Sequence, residues 1–248
     1  MRPVPRPAPG FSLVEMAVVL VILGLLLSGL LMTLTSQQAA QKVLESERAE
    51  LQIREALLGF AAINGRLPCP ADPALPDTAV NAGIERAPTA AGCTGGDAGS
   101  LPWATLGLRQ LDAWNWRYTY RVSPLFSRTV IARAPGQYGC AVPPPASPAR
   151  SAFALCSPGS YEVRGSAGGT ALATGLPALF VSHGPNGFRA RRATGGLNGA
   201  GGDADEQENA DGDAIHVDKT PTETFDDRVE WIAAPVLMNR MLQAGRLP

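Results

Sequence analysis

The N-terminal region of the chain contains the sequence Gly10-Phe11-Ser12-Leu13-Val14-Glu15, and an apolar run of about nineteen residues follows from Met16 to Leu34. A helix of that length can cross the hydrocarbon core of a bilayer, which is about 30 Å thick. Glu15 is the exception, because an unpaired carboxylate at the start of a membrane segment costs on the order of a few kcal/mol. The sequence therefore predicts a transmembrane helix whose acid requires a cationic partner.

Cleavage of the chain between Gly10 and Phe11 would supply that partner. The new α-amino group lies near the same helix end as Glu15, so the two groups meet poorly within one subunit. In two subunits staggered along an axis, the ammonium group of one Phe11 can reach the Glu15 carboxylate of the other. Such a pair is strong only when it is desolvated and complete, so it favours assembly in a fixed register.

The motif at residues 10–15, followed by an apolar helix, closely resembles the class III leader of type IV prepilins and type II secretion pseudopilins. The resemblance implies that prepilin peptidase cleaves after Gly10 and methylates the amine of Phe11, and that Glu15 sets the filament register. It also implies three partners: homologous pilin or pseudopilin subunits, an inner-membrane assembly platform, and the ATPase of that platform. The alternative is a plain signal anchor in which Glu15 has no role.

The charge distribution around the apolar run predicts the topology. Arg2 and Arg6 precede the run with no acid beside them, so the positive-inside rule keeps residues 1–10 in the cytoplasm. These residues contain no apolar stretch of their own, unlike an ordinary secretory signal peptide. We expect a single-pass protein of the bacterial inner membrane, in contact with lipid, that enters a filament after assembly. Its segments are a leader (1–10), a transmembrane helix (11–34), an amphipathic half of the same helix (35–64) and a periplasmic domain (65–248).

The helical pattern continues beyond the membrane segment as an apolar stripe with charged residues around it. The stripe consists of Val43, Leu44, Leu51, Leu57, Leu58 and Ala61, and the charged surface of Glu45, Glu47, Arg48, Glu50, Arg54 and Glu55. Asn64-Gly65 ends the helix, and Pro68 prevents its continuation. This pattern favours the ladle shape of pilins over the alternative, a membrane-anchored coiled coil.

Several short strands are predicted after the helix. Apolar residues alternate with polar ones from Trp116 to Val122, which indicates a strand with one face packed and one in water. Weaker strands are predicted at 151–155, 161–164, 178–182 and 228–232, and a short helix begins at Pro235 and stops at Gly245. The predicted fold is α+β, with the long N-terminal helix packed on a small antiparallel sheet of meander type.

Four cysteines lie on the exported side of the predicted membrane segment, where disulfides persist: Cys69, Cys93, Cys140 and Cys156. Three pairings are possible. We favour Cys69–Cys93 and Cys140–Cys156, because each pair closes a local Gly/Pro-rich loop that has few other restraints. The absence of C-x-x-C spacing argues against a zinc site.

A candidate calcium site lies in an acidic segment that the composition predicts to be a flexible loop. The sequence Ser182-His183-Gly184-Pro185-Asn186-Gly187, followed by Gly195-Gly196 and an acidic cluster, resembles the calcium loop of major type II pseudopilins. Carboxylate oxygens are ligands that Ca²⁺ prefers, and the spacing excludes an EF-hand. The expected ligands are Asp203, Asp205, Asp211 and Asp213, and the alternative is a solvated acidic loop.

Other function classes find little support in the sequence. The formal charge of −1 becomes −3 without Arg2 and Arg6, so the charge balance does not point to nucleic acid. Only His183 and His216 could act as bases near neutral pH, and His183 reads as a surface residue in a Gly/Pro turn. No nucleophile elbow or phosphate loop occurs. We expect no enzymatic activity.

The sequence therefore predicts a structural subunit of an envelope-spanning filament, in first place a pseudopilin-like component of a type II secretion system. A minor type IV pilin for adhesion, twitching motility or DNA uptake is the alternative in the same class. From another class, a membrane-tethered Ca²⁺- or DNA-binding protein that does not polymerise remains open, with Arg189, Arg191 and Arg192 as the basic patch.

Overall fold

The structure is a computed structural model, which describes residue 10, residues 12–142, 150–199 and 201–247, and only the backbone of residues 26–36. The described residues form two compact units, Met1–Glu45 and Ser46–Pro248. The fold is α+β, with an N-terminal helix and an antiparallel sheet, as predicted. A second sheet was not predicted.

The N-terminal helix α1 comprises Leu13–Asn64. It ends where the sequence predicts, and the Gly65 amide donates to the Ala61 carbonyl at 2.8 Å. In the part of the chain whose side chains the structure describes, we find no helical segment that is both long and apolar enough to cross a membrane. Of the predicted transmembrane residues 11–34, Phe11 and the side chains of 26–34 lie outside that part.

The larger sheet contains four antiparallel strands. They are β1 (Ala98–Ser100), β2 (Thr119–Val122), β5 (Ala178–Ser182) and β7 (Arg228–Ile232), in the order β1-β2-β5-β7. Tyr120 lies opposite Phe180 in the register between the two central strands. The predictions at 178–182 and 228–232 are confirmed, whereas the strand predicted from Trp116 begins only at Thr119.

The smaller sheet contains β3 (Tyr161–Arg164), β4 (Ala171–Leu176) and β6 (Ile215–Val217), in the order β4-β3-β6. Strand β3 was predicted, and β4 and β6 were not. The predicted meander of antiparallel strands is wrong, because β3 pairs with β6 in parallel and β2 pairs with β5 across a long connection. The remaining helices are α2 (Trp103–Leu106), α3 (Pro124–Ser127), α4 (Ala204–Ala210) and α5 (Ala234–Gln243), with a 3₁₀ turn at Pro135–Tyr138.

Residues 151–155 do not form the strand that their composition predicts. The Ala152 amide donates to the Gly65 carbonyl, and the Ala152 carbonyl accepts from Arg128 Nε, both at 2.9 Å. These backbone groups are therefore taken by non-strand partners. Phe153 packs against Phe126 in the core instead, with ring centroids 4.6 Å apart.

The main core lies between the C-terminal part of α1, the larger sheet and α5. Its helical residues from α1 are Ile53, Leu57, Leu58 and Ala61, which meet Tyr118, Tyr120, Phe180, Leu237 and Met241 among others. The predicted stripe is half wrong, because Leu44 and Leu51 are 51% and 63% exposed. The buried face of α1 is instead continued by two polar residues, Ser46 and Glu50.

The second face of β2 is also buried, contrary to the prediction that it faces water. Arg121 is buried, and its Nη1 donates to the carbonyls of Gly212 and Asp213 at 2.9 and 3.1 Å. The chain after β5 thus covers the face of the sheet opposite α1, where the acidic segment lies.

Both predicted disulfides are present, Cys69–Cys93 and Cys140–Cys156. They close chain segments with sequence separations of 24 and 16 residues. Cys69 is fully buried and belongs to the interior, so the first bond fixes the chain that leaves α1 against the core.

Candidate functional site

The first turn of α1 is closed by a reciprocal capping arrangement between Ser12 and Glu15. The Ser12 amide donates to Glu15 Oε2 at 2.8 Å, and the Glu15 amide donates to Ser12 Oγ at 3.2 Å. This capping box satisfies two backbone donors that a helix start otherwise leaves unpaired. None of these atoms precedes Ser12, so removal of residues 1–10 would leave both bonds intact.

The apolar side chains that follow Glu15 are exposed in the isolated chain. Leu13, Val14, Leu20 and Val21 each expose more than half of their surface, and this exposure continues to Leu25. An exposed apolar surface of this extent marks contact with lipid or with other protein. The start of α1 thus combines a hydrogen-bonded carboxylate, that of Glu15, with an exposed apolar surface.

Residues 6–31 match the family model described as the prokaryotic N-terminal methylation motif. The chain carries a class III prepilin leader. Such a leader implies processing by prepilin peptidase and assembly with other pilin subunits. Comparisons with curated proteins and with solved structures gave no match. Of the matched segment, residues 6–9, Phe11 and the side chains of 26–31 lie outside the described residues.

The acidic segment, predicted to be a flexible loop, contains helix α4. Asp203 caps this helix, because its Oδ1 accepts from the amides of Asp205 and Glu206 at 3.0 and 3.1 Å. Aspartate is a strong N-cap residue, and its charge is favourable at the positive end of a helix. The predicted flexible loop is therefore wrong. The helix was not predicted because the sequence of α4 shows no apolar stripe.

The four predicted calcium ligands fall into two pairs, one at each end of α4. Lys219 forms ion pairs with Asp203 and Asp205, and its hydrogen bond to Asp205 lowers the pKa of that carboxyl. At the other end, Asp211 and Asp213 lie near Glu208, with the three carboxylates within 4.8 Å of one another. The structure therefore does not bring the four aspartates together.

A second group of acids, which the sequence analysis missed, lies inside the protein. Glu206, Asp226 and Asp227 each have a carboxylate oxygen within 4.8 Å of the others, and Glu206 and Asp227 are buried. Burial raises the pKa of Asp226 to about 6, assisted by the charges of Glu206 and Asp227. Burial also raises the pKa of Glu206. The sequence feature that could have indicated this buried group is the acid pair Asp226-Asp227, which lies between Phe225 and strand β7.

His183 is not the surface residue that the sequence suggests. It is 2% exposed, its Nε2 lies 2.8 Å from Thr119 Oγ1, and its Nδ1 lies 3.4 Å from Asp227 Oδ1. His216 is also buried, and burial lowers its pKa to about 3. Neither imidazole stands free in solvent as an accessible base.

Two of the three arginines of the predicted basic patch, Arg191 and Arg192, interact with neighbouring residues, and Arg189 is exposed. Arg191 Nη1 donates to the Gly195 carbonyl at 3.0 Å, and Arg192 Nη2 donates to Asn198 Oδ1 at 3.0 Å. The Arg192 guanidinium also lies 5.8 Å from the centre of the Trp116 ring. These contacts hold the loop, and they leave the nucleic-acid alternative without a specific observation in its favour.

Proposed function

We propose that this chain is a structural subunit of an envelope-spanning filament, and specifically a pseudopilin-like component of a type II secretion system. The observation that carries the proposal is the prepilin leader placed directly before the capped start of α1. Prepilin peptidase would remove residues 1–10 and methylate Phe11. The subunit would then wait in the inner membrane with its C-terminal domain in the periplasm until the assembly platform and its ATPase extrude it.

Glu15 is the proposed register-setting acid of the filament. Its Oε2 already accepts from the Ser12 amide, so the carboxylate is held in one orientation in the first helical turn. The other oxygen can accept from the methylated ammonium group of Phe11 in a neighbouring subunit. Because a desolvated carboxylate without its partner is costly, subunits out of register would be disfavoured by several kcal/mol.

The experiment compares three variants of the full chain expressed in its host. Glu15→Gln keeps an oxygen that can accept from Ser12 but removes the charge, and Glu15→Ala removes both. Ser12→Ala is the matched control, because it removes one capping bond and keeps the carboxylate. Processing is followed by N-terminal mass spectrometry, and filament incorporation by immunoblotting of sheared filaments.

We expect both Glu15 variants to lose at least about tenfold in incorporation, which corresponds to about 1.4 kcal/mol, while Ser12→Ala assembles. Equal incorporation of Glu15→Gln and the wild type would reject the register role. The same variants separate a tethered binding protein from a filament subunit, since tethering alone does not require Glu15.

A minor type IV pilin remains the alternative, and one observation favours a specialised subunit. The unit from Ser46 onward contains a second sheet and a disulfide-closed segment at Cys140–Cys156 beyond the sheet that packs on α1. Deletion of the gene decides between the systems. Loss of protein export supports the pseudopilin role, and loss of adhesion, twitching or DNA uptake with normal export supports the pilin role.

A further inference from the structure

Three carboxylates converge inside the protein from two distant segments of the chain. Glu206 lies on α4, and Asp226 and Asp227 lie directly before β7. In the part of the chain that the structure describes, no lysine or arginine forms an ion pair with any of the three. A buried carboxylate without a counter-charge is unfavourable, so this cluster favours the uptake of protons or of a cation.

Each carboxylate is held by one oxygen and leaves the other without a partner. Glu206 Oε1 accepts from Asn186 Nδ2 and the Asp226 amide at 2.8 and 2.9 Å. Asp226 Oδ2 accepts from the Asn186 amide, and Asp227 Oδ2 from Asn209 Nδ2. Glu206 Oε2, Asp226 Oδ1 and Asp227 Oδ1 are buried with no hydrogen-bond partner. The surrounding amides thus orient three carboxylates and leave one free acceptor on each.

His183 provides an independent observation from another part of the fold. This histidine follows β5, is 2% exposed, and is fixed by the contact between its Nε2 and Thr119 Oγ1. Its Nδ1 has no hydrogen-bond partner and faces the cluster, 3.4 Å from Asp227 Oδ1. A buried and unpartnered ring nitrogen therefore borders the same space as the unpartnered carboxylate oxygens.

Two glycines allow the backbone to approach these oxygens closely. A Cβ atom at Gly184 would lie 2.4 Å from Asp226 Oδ1, and one at Gly202 would lie 2.1 Å from Glu206 Oε2. Both glycines have positive φ angles, +54° and +89°, which other residues adopt at a cost. A side chain at either glycine would therefore clash with one of the unpartnered carboxylate oxygens, so glycine is required at both positions.

We propose that Glu206, Asp226 and Asp227 bind one hard divalent cation of the Ca²⁺ class, with His183 closing the site beside Asp227. Oxygen ligands on one Ca²⁺ lie within about 5 Å of each other, since each Ca–O distance is 2.3–2.6 Å. The carboxylates meet this condition. The three carboxylates are the metal ligands, and His183 contacts Asp227 rather than the cation. Carboxylate ligands favour Ca²⁺ or Mg²⁺ over softer metals. The site lies in residues other than the four aspartates that the sequence suggests.

The cation would add to the hydrogen bonds that already join three segments, namely the turn after β5, helix α4 and the chain before β7. Binding to the folded chain alone stabilises it in proportion to the logarithm of cation concentration. We therefore expect chelation to loosen this face of the sheet and to leave the core around α1 in place.

The test uses the full chain purified in detergent micelles without chelator. Inductively coupled plasma mass spectrometry measures the metal that the chain retains. The chain is then treated with EDTA, freed of the chelator and titrated with CaCl₂, MgCl₂ or ZnCl₂ in a calorimeter, with thermal unfolding recorded in parallel. The site variant is Glu206→Gln with Asp226→Asn. The matched control is Asp211→Asn with Asp213→Asn, which changes an exposed acidic pair by the same chemistry.

We expect one Ca²⁺ per chain, a rise in Tm of about 5 °C or more at a hundredfold excess over Kd, and unchanged binding in the control. The site variant should bind Ca²⁺ at least about 100-fold more weakly. Three results would overturn the proposal: a wild-type chain with no Ca²⁺ response and no retained metal, a control that loses binding as the site variant does, or a preference for Zn²⁺. Retained metal in the wild type keeps the test valid even where the site variant fails to fold.

Discussion

Glu50 on α1 and Arg228 on β7 form a two-contact ion pair across 178 residues of sequence. Arg228 Nε and Nη2 donate to Glu50 Oε1 and Oε2 at 2.9 and 2.8 Å. Glu50 is only 4% exposed, although its position among charged residues of α1 suggested a surface residue. The hydrogen bonds that Arg228 donates to Glu50 raise the pKa of Arg228. This pair ties the helix to the edge strand of the larger sheet.

We expect Arg228→Ala to lower the free energy of unfolding by about 3 kcal/mol, because it leaves a buried carboxylate without its partner. The matched control is Arg240→Ala, which breaks a pair with Glu55 between exposed side chains. That loss should be below about 1 kcal/mol. Chemical denaturation of the full chain in micelles measures both values, and equal losses would contradict the buried character of the first pair.

Two leucines of the predicted stripe, Leu58 and Leu51, should differ in how much their substitution lowers the stability of the isolated chain. Leu58 is 2% exposed, so Leu58→Ala should cost about 2–4 kcal/mol of stability. Leu51 is mostly exposed, so Leu51→Ser should change stability by less than about 0.5 kcal/mol. If α1 packs against neighbouring subunits, the Leu51 variant should still reduce filament incorporation. A Leu51 variant that unfolds the isolated chain would show that the buried face of α1 is misassigned.

Loss of the Cys69–Cys93 bond should destabilise the chain by about 3.5 kcal/mol, the value for closing a loop of this length in the unfolded state. The variant Cys69→Ser with Cys93→Ser tests this, and protease sensitivity of the segment after α1 provides the readout. The corresponding change at Cys140 and Cys156 serves as comparison, because that bond lies outside the main core. A greater protease sensitivity after loss of the Cys140–Cys156 bond would show that this bond, rather than Cys69–Cys93, contributes more to stability.

His216 should make the chain less stable in acid. Its pKa falls from 6.5 to about 3 on folding because the ring is buried. Below pH 6.5 the unfolded chain binds a proton that the folded chain does not, so stability decreases by about 1.4 kcal/mol per pH unit down to about pH 3. In EDTA, we expect His216→Leu to show a shallower decrease than the wild type. Parallel curves for the two chains would assign the acid sensitivity to other groups.

Several secondary-structure elements could be predicted from short stretches of sequence. The end of α1 at Asn64-Gly65, the strands β5 and β7 and helix α5 follow from turn residues and apolar patterning. Strand β4 was missed because its sequence ALATGL lacks β-branched alternation, and α4 because its residues are almost all polar. Neither sequence shows the hydrophobic periodicity from which a helix or a strand is predicted.

Properties that depend on distant partners could not be predicted. Glu50 is buried because Arg228 reaches it from the far end of the chain, and the parallel pair β3–β6 brings together residues about fifty positions apart. The cluster of Glu206, Asp226 and Asp227 arises in the same way. The leader motif at residues 10–15 could be predicted, because it is a contiguous sequence and does not depend on distant residues.

We propose that the mature subunit begins at Phe11 with a methylated amine. Intact mass spectrometry with N-terminal fragmentation of the protein isolated from its native membrane identifies the first residue of the chain and any group on its amine. We predict a chain that starts at Phe11 and carries one added methyl group on its amine. A chain that retains residues 1–10 would show that the leader is not removed, and the proposed filament role would then be wrong.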